Sequence, residues 1–321
     1  MPAEILDGKA VAGRIRADLT DRIAAVRERL GRPPGLAIVL VGDDPASEVY
    51  VRNKLRTGEE SGMSVSLTRL GADSSLAALL ATVEALNASP DVDGILVQSP
   101  LPASLGADAE QRVFDTVSAA KDVDGFSPIS AGYLAQNRPG FVPCTPAGVI
   151  EMLERENIAI EGKRAVVIGR SEIVGKPMAL LLLARNATVT ICHSRTRDLP
   201  AVCREADILV AAIGRAGFVT PDFVKPGAVV IDVGINRVTD PEAAKRLFRS
   251  LPKRLASFEK NGSALVGDVH PDAAGTAGRL TPVPGGVGPL TIAMLMANTV
   301  RAAELAADAA DAAGAGSAAR D

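Results

Sequence analysis

The chain has 321 residues, enough for two hydrophobic cores, because single cores rarely grow past about 250 to 300 residues. Apolar residues make up 47% and charged residues 23%, the balance of a soluble globular enzyme, while aromatics reach only 3% with no Trp, so the cores must be aliphatic. The net charge of -3, with Lys and Arg interspersed among Asp and Glu, leaves no basic face for counterion release and excludes nucleic acid as the expected partner.

In chain order, the start MPAEILDGKAVAGRI lacks a basic segment followed by an apolar one. The first candidate strand is LAIVLV (36–41). Asp44-Pro45 then reads as a cap followed by proline at the first helical position, opening a helix through ASEVYVRNKLRTGEESG. Further strands are expected at SVSLTRL (64–70) and GILVQS (94–99). PGFVPCTPAG (139–148) interrupts the order and marks a domain boundary, with Thr145 capping a helix that begins at Pro146. Beyond it come AVVIG (165–169), ATVTIC (187–192), DILVAAI (207–213), AVVIDV (228–233) and SALVGDV (263–269). Such β-branched runs, spaced by helix-length segments, suit parallel strands in right-handed βαβ units, so the fold class is α/β. A last helix begins near Pro289, and the Ala/Gly/Asp stretch that ends the chain reads as a frayed tail. The apolar run 178–184 is far too short to cross a bilayer, so no membrane is expected. Cys144, Cys192 and Cys203 form no CxxC, and His193 and His270 are the only histidines. No metal site is expected, and the spacing fits reduced thiols in a cytoplasmic protein.

The loop GRSEIVGKP (169–177) resembles several templates. As a phosphate loop of a nucleotide triphosphatase it has one residue too many between its glycines and places Pro177 where a hydroxyl should bind magnesium. As a hydrolase elbow it lacks the second glycine, since Ile173 stands there. As a dinucleotide fingerprint its context is right: a strand, then Gly169 and Gly175, then a helix opening near Pro177. Ser171 replaces the middle glycine and predicts looser phosphate contact. A tight strand-to-helix turn without a ligand has the same glycines. After the next strand comes His193-Ser194-Arg195-Thr196-Arg197, with no carboxylate before Asp198 to hold ribose hydroxyls. Arg170, Ser194 and Arg195 can instead converge on a 2'-phosphate, which favours NADP over NAD, although single arginines are more often solvated loop charges.

In the first half, Tyr50 and Lys54 are four residues apart and share a helix face. That pair suits a flat substrate held beside a proton-transfer group, although the spacing alone favours a lysine packed on a tyrosine at the surface. Gln98 falls at the carboxyl end of a strand and Asp124 in the loop KDVDGF, where ligands of open α/β sheets collect. Strand termination by Gln98 and turn formation by Asp122 and Asp124 explain the same residues structurally.

VGDDPASEVYVRNK, VQSPLP, KDVDGF, PCTPAG, GRSEIVGKP, DVGIN and TPVPGGVGPLT stand in the order found in bifunctional methylenetetrahydrofolate dehydrogenase/methenyltetrahydrofolate cyclohydrolase, which the chain resembles outside its tail. The resemblance implies a three-layer α/β folate-binding domain over residues 1–144, completed by a C-terminal helix at 288–306. It also implies a Rossmann-type NADP-binding domain at 145–287, a cleft between the two, and a disordered tail at 307–321. Oxidation of 5,10-methylenetetrahydrofolate with NADP and hydrolysis of the methenyl product to 10-formyltetrahydrofolate would follow. Tyr50 would stack on the folate, Lys54 would be the main catalytic group, Gln98 would position and tune it, and Asp124 would hold the pterin. Pro284, Gly285 and Gly286 would border the substrate. The cofactor would meet Gly169, Arg170, Ser171, Ile173, Val174, Gly175, His193, Ser194, Arg195, Gly214 and Ile235. A homodimer is implied as well. Two departures stand out: Ser99 follows the glutamine where Leu is commoner, and GDVHPD replaces GDVDF around His270.

Overall fold

A computed structural model describes residues 3–318. They form two compact units, one made of Gly13–Cys144 with 292–318, the other of 3–12 with Thr145–Thr291. The chain opens with a two-residue strand, β1 (Glu4–Ile5), and helices α1 (Gly8–Asp18) and α2 (Thr20–Leu30).

In the first unit β2 (Gly35–Val41) lies between β3 (Ser64–Leu70) and β4 (Gly94–Val97) in a parallel sheet. All seven residues of β2 are buried, as a strand covered on both faces requires. Side chains alternate across a strand, and the two core clusters follow that alternation. Leu36, Ile38 and Leu40 pack with Leu19, Ile23, Leu295, Met296 and Val300, while Val39 and Val41 pack with Leu79, Val83 and Val113. The second group comes from α4 (Leu76–Ala88) and α5 (Ala109–Thr116), so helices cover both faces in three layers. Helix α3 (Pro45–Glu60) starts as its sequence dictates: the Asp44 carboxylate accepts from Ser47 N at 2.8 Å and Pro45 occupies the first turn. A shorter helix, α6 (Pro128–Ala135), precedes the crossing into the second unit.

The second unit is a six-stranded sheet in the order β1-β11-β8-β7-β5-β6, parallel throughout. Its strands are β5 (Arg164–Ile168), β6 (Thr188–Cys192), β7 (Ile208–Ala211), β8 (Val229–Asp232) and β11 (Arg279–Leu280), with β1 at one edge. Helix α7 (Cys144–Arg155) leads into β5, α8 (Gly175–Leu183) and α9 (Leu199–Cys203) lie between β5 and β6 and between β6 and β7, and α10 (Pro241–Leu247) and α11 (Pro252–Asn261) follow β8.

Several boundaries differ from the sequence reading. Residues 3–12 join the second unit rather than the first, because β1 pairs with β11 through Glu4–Arg279 and Ile5–Leu280. Helix α7 opens at Cys144, so Thr145 lies in its first turn and bonds Thr291 Oγ1 at 2.9 Å instead of capping. SALVGDV is not a strand of the parallel sheet. Val269 makes no more than an isolated parallel bridge to Val219, and Ala264–Val266 forms β10, which pairs antiparallel with β9 (Asn236–Val238). Its burial alternates, with Leu265 exposed and Val266 buried, which is the pattern of a ribbon covered on one face.

The expected tail at 307–321 is helical as far as it is described. Helix α12 (Val287–Ala318) runs on past residue 306, Ala307 is buried, and Arg29 pairs with Asp308 and Asp311 at 2.7 and 2.6 Å. Low complexity hides a run of the best helix former, alanine. Residues 319–321 lie outside the described residues. Over Val287–Ala312 this helix is long and apolar enough to cross a membrane, yet 56% of its apolar 18-residue stretch is buried inside the protein. It is a core helix, carrying Leu295, Met296 and Val300.

Candidate active site and cofactor site

The first unit brings three of the expected catalytic residues together. Strand β4 ends at Val97, so Gln98 is the first residue past its carboxyl end, held by its own N–H on Val39 O at 2.8 Å. Its side-chain Nε2 donates to Ser99 O at 2.5 Å, which turns Oε1 toward Lys54, whose Nζ donates to it at 2.9 Å. The backbone carbonyl of Ser99, common to any residue there, is thus what orients the amide. Burial pushes the Lys54 amine below its ordinary pKa, opposed by the negative charge of Asp124 and, more weakly, by Cys144. The Asp124 carboxyl is pushed up to about 6, mainly by burial and only partly relieved by the Lys54 charge.

The two aspartates of KDVDGF divide their roles. Asp122 accepts from Phe126 N, Ser127 N and Ser130 Oγ at 3.1, 2.9 and 2.6 Å and shapes the turn. Asp124 stands instead in the electrostatic company of Lys54 and Cys144. The loop is fastened to the sheet by Ile95 N on Lys121 O at 2.9 Å. Tyr50, one turn before Lys54 on α3, leaves 40% of its surface exposed. Sequence reasoning missed Cys144 as a neighbour of this site. Its buried thiol, pushed up by burial and by the Asp124 charge, donates to Val123 O at 3.3 Å. The PCTPAG motif contained that signal, but nothing along the chain placed it beside Asp124.

The residues expected to meet the cofactor lie in the second unit. Ile168 pairs with Cys192, so the loops leaving β5 and β6 run side by side at the carboxyl edge of the sheet. Gly169 N bonds Cys192 O at 2.9 Å, and Gly169 has φ +129 and lies so close to Ala212 O that no side chain fits. A side chain on Gly175 would strike the backbone of Gly169 and Arg170. Ser171 Oγ accepts from Val174 N and Gly175 N at 3.3 and 3.2 Å and occupies N–H groups at the start of α8. Arg170, Ser194 and Arg195 are exposed, as are Ile173, Gly214 and Ile235, with Val174 and His193 half-buried. His193 Nδ1 accepts from Arg195 N at 3.1 Å, and Thr196 Oγ1 accepts from His193 N at 2.9 Å, so His193 organises the loop that presents Ser194 and Arg195. This glycine-lined turn beside the exposed Arg170 and Arg195 side chains, with no carboxylate from Cys192 to Arg197, fits a dinucleotide carrying an extra phosphate. Pro284, Gly285 and Gly286 also fall in the second unit, where Gly285 has φ +104 and the Gly286 carbonyl packs on Gly8. His270, the departure in GDVHPD, caps the turn Pro271–Gly275 by accepting from Asp272 N at 3.2 Å.

Two family models account for most of the chain. Residues 6–124 match the tetrahydrofolate dehydrogenase/cyclohydrolase catalytic domain, and residues 143–307 match the NAD(P)-binding domain of the same enzymes. The chain belongs to the tetrahydrofolate dehydrogenase/cyclohydrolase family. Among members of that family, the bifunctional protein FolD of Koribacter versatilis is 57% identical over 305 residues, covering 95% of this chain and 98% of its own. The crystal structure of the bifunctional FolD methylenetetrahydrofolate dehydrogenase/cyclohydrolase from Campylobacter jejuni is 40% identical with a TM-score of 0.83, covering 94% of this chain and 99% of its own. The Trypanosoma brucei dehydrogenase-cyclohydrolase, solved with NADP and an inhibitor, is 37% identical with a TM-score of 0.83, covering 95% and 98%. Membership applies to both units, since each is matched by its own model.

Proposed function

We propose that the chain oxidises 5,10-methylenetetrahydrofolate with NADP and hydrolyses the methenyl product to 10-formyltetrahydrofolate, with Lys54 as the proton-transfer group. The observation that carries this reading is the Lys54 Nζ–Gln98 Oε1 bond of 2.9 Å on an amine whose charged form burial disfavours.

The first reaction needs little acid or base, because the nitrogens flanking the methylene stabilise the cation left when hydride departs. When bound, NADP supplies the hydride acceptor. The chain's share is orientation: the exposed Tyr50 ring offers a face for the pterin, and Asp124, a carboxylate above about pH 6, accepts from its N–H groups. The second reaction adds water to the methenyl carbon and opens the ring, which requires proton movement. Neutral Lys54 takes one proton from the attacking water, the resulting ammonium returns it to the nitrogen that leaves, and the remaining hydroxyl proton passes to solvent as the C–N bond breaks and the formyl C=O forms. Gln98 holds the amine in one place through both steps because its amide is itself held by Ser99 O. On the cofactor side, Arg170 and Arg195 take the 2'-phosphate while Ser171 Oγ, by accepting from Val174 N and Gly175 N, takes up backbone donors of the turn and keeps the diphosphate's contact with that backbone indirect. The reading includes a cytosolic homodimer, for which light scattering is the direct check.

Lys54→Met is expected to abolish decay of supplied methenyltetrahydrofolate while the protein still binds NADP. Undiminished decay would remove Lys54 from the hydrolysis.

A further inference from the structure

Two buried aspartates that the proposed chemistry does not use sit behind the cofactor loops. Asp268 is fully buried, yet its carboxylate collects four donors. Oδ2 accepts from Ile213 N at 2.6 Å and Gly214 N at 2.9 Å, and Oδ1 accepts from Arg215 N at 2.7 Å and Asn236 Nδ2 at 2.9 Å. Three successive backbone N–H groups aimed at one point form an anion-binding nest. Here the anion comes from the chain itself. Asp232, at the end of β8, holds the holder: Oδ1 accepts from Asp268 N at 2.8 Å and Gly234 N at 3.1 Å, and Oδ2 accepts from Val269 N at 3.0 Å. Both carboxylates reach the backbone only because Gly234 and Gly267 lack side chains, since a Cβ on either would run into Asp268 or Asp232 respectively.

We propose that Asp268 is a positioning residue for NADP: its carboxylate fixes the turn Ile213–Arg215 after β7 to Asn236, and so sets Gly214 and Ile235 in one arrangement for the cofactor. The inference rests on the reading that Gly214 and Ile235 face NADP. Its physical basis is that a carboxylate alone supplies enough acceptor capacity for four converging donors. An amide in the same place offers one oxygen and turns an N–H group toward N–H groups, which repels the turn. Asp268 touches no reacting atom, so the effect falls on cofactor affinity and leaves Lys54 chemistry alone.

The test is NADP titration of the full-length Asp268→Asn protein beside an assay of methenyltetrahydrofolate hydrolysis without cofactor. The expected result is NADP affinity weakened about tenfold or more, with hydrolysis as in the wild type and kcat at saturating NADP changed less than KM. Affinity within twofold of wild type in a protein that still hydrolyses would overturn the proposal. If hydrolysis is lost as well, Asn236→Ala decides, because it removes one donor and leaves the carboxylate: weaker NADP binding supports the proposal and unchanged binding overturns it. Ile235→Ala separates the two levels of inference. Wild-type NADP binding there sinks the cofactor-face reading and the proposal with it, whereas impaired Ile235→Ala beside normal Asp268→Asn sinks the proposal alone.

Discussion

At the residue scale, Lys54 is tuned by two opposing influences whose signs can be tested. Burial lowers the amine's pKa and the Asp124 charge raises it, burial being the larger. A reaction that needs the neutral amine speeds up as pH rises through that pKa. Asp124→Asn removes the charge that favours the ammonium, so the ascending limb of the hydrolysis pH profile should move to lower pH, whatever happens to its height. A shift to higher pH would show that Asp124 does not act on Lys54 electrostatically. The same scale governs cofactor choice. Arg170→Ala combined with Arg195→Ala should weaken NADP far more than NAD in a direct titration, and equal losses would mean that the 2'-phosphate sits elsewhere. Of these residues, Lys54 and Gln98 stood out only through the ordered motifs of the family, because a lysine one turn from a tyrosine and an amide at a strand end each have an ordinary structural explanation. By residue type Asp122 and Asp124 were not separable, since both are turn formers and only the resemblance singled out Asp124; the N–H groups around Asp122 assign it to the turn.

At the element scale, α3 carries both Tyr50 and Lys54, so its seat on the sheet sets the site. Gly58 makes that seat possible: a Cβ there would come within 2.5 Å of Val65 Cγ2 and 3.3 Å of Met296 Sδ. Alanine would gain up to about 1 kcal/mol of helix propensity, but overpacking against a β-branched side chain costs roughly 1 to 3 kcal/mol. Strain should win. Gly58→Ala is therefore expected to lower the urea midpoint, and a raised midpoint would mean that α3 can move off β3 without cost. The central parallel strands β2, β4, β5, β7 and β8 were readable because doubly covered strands are continuous apolar runs, and the edge strands β3 and β6 through their β-branched residues. β1 and β11 were not, since two residues carry no period to detect. SALVGDV misled for the opposite reason. Its apolar residues resemble a buried strand, but Gly267 and Asp268 leave the ladder so that the Asp268 carboxylate can reach the turn after β7.

At the scale of the whole molecule, sequence order and core membership part company. The first residues complete the second unit's sheet, and the last helix fills the first unit's core. Met296, fully buried, packs with Ile38 and Leu40, and Leu6, also buried, follows β1 with its N–H on Leu280 O at 2.9 Å. Met296→Ala and Leu6→Ala should each cost about 2 to 5 kcal/mol. Hydrogen exchange should localise the damage, with β2 and β4 opening faster in the first variant and β8 and β11 in the second. Uniform acceleration across both sheets in either variant would contradict separate cores. Composition, strand runs and ordered motifs were enough for the α/β class and the family, because those features depend on residue type and short-range spacing. Three-dimensional packing alone could assign the chain's two ends to opposite cores, extend the last helix beyond its low-complexity disguise, and set Cys144 beside Asp124. Those facts rest on contacts between residues far apart in the chain, which local periodicity cannot encode.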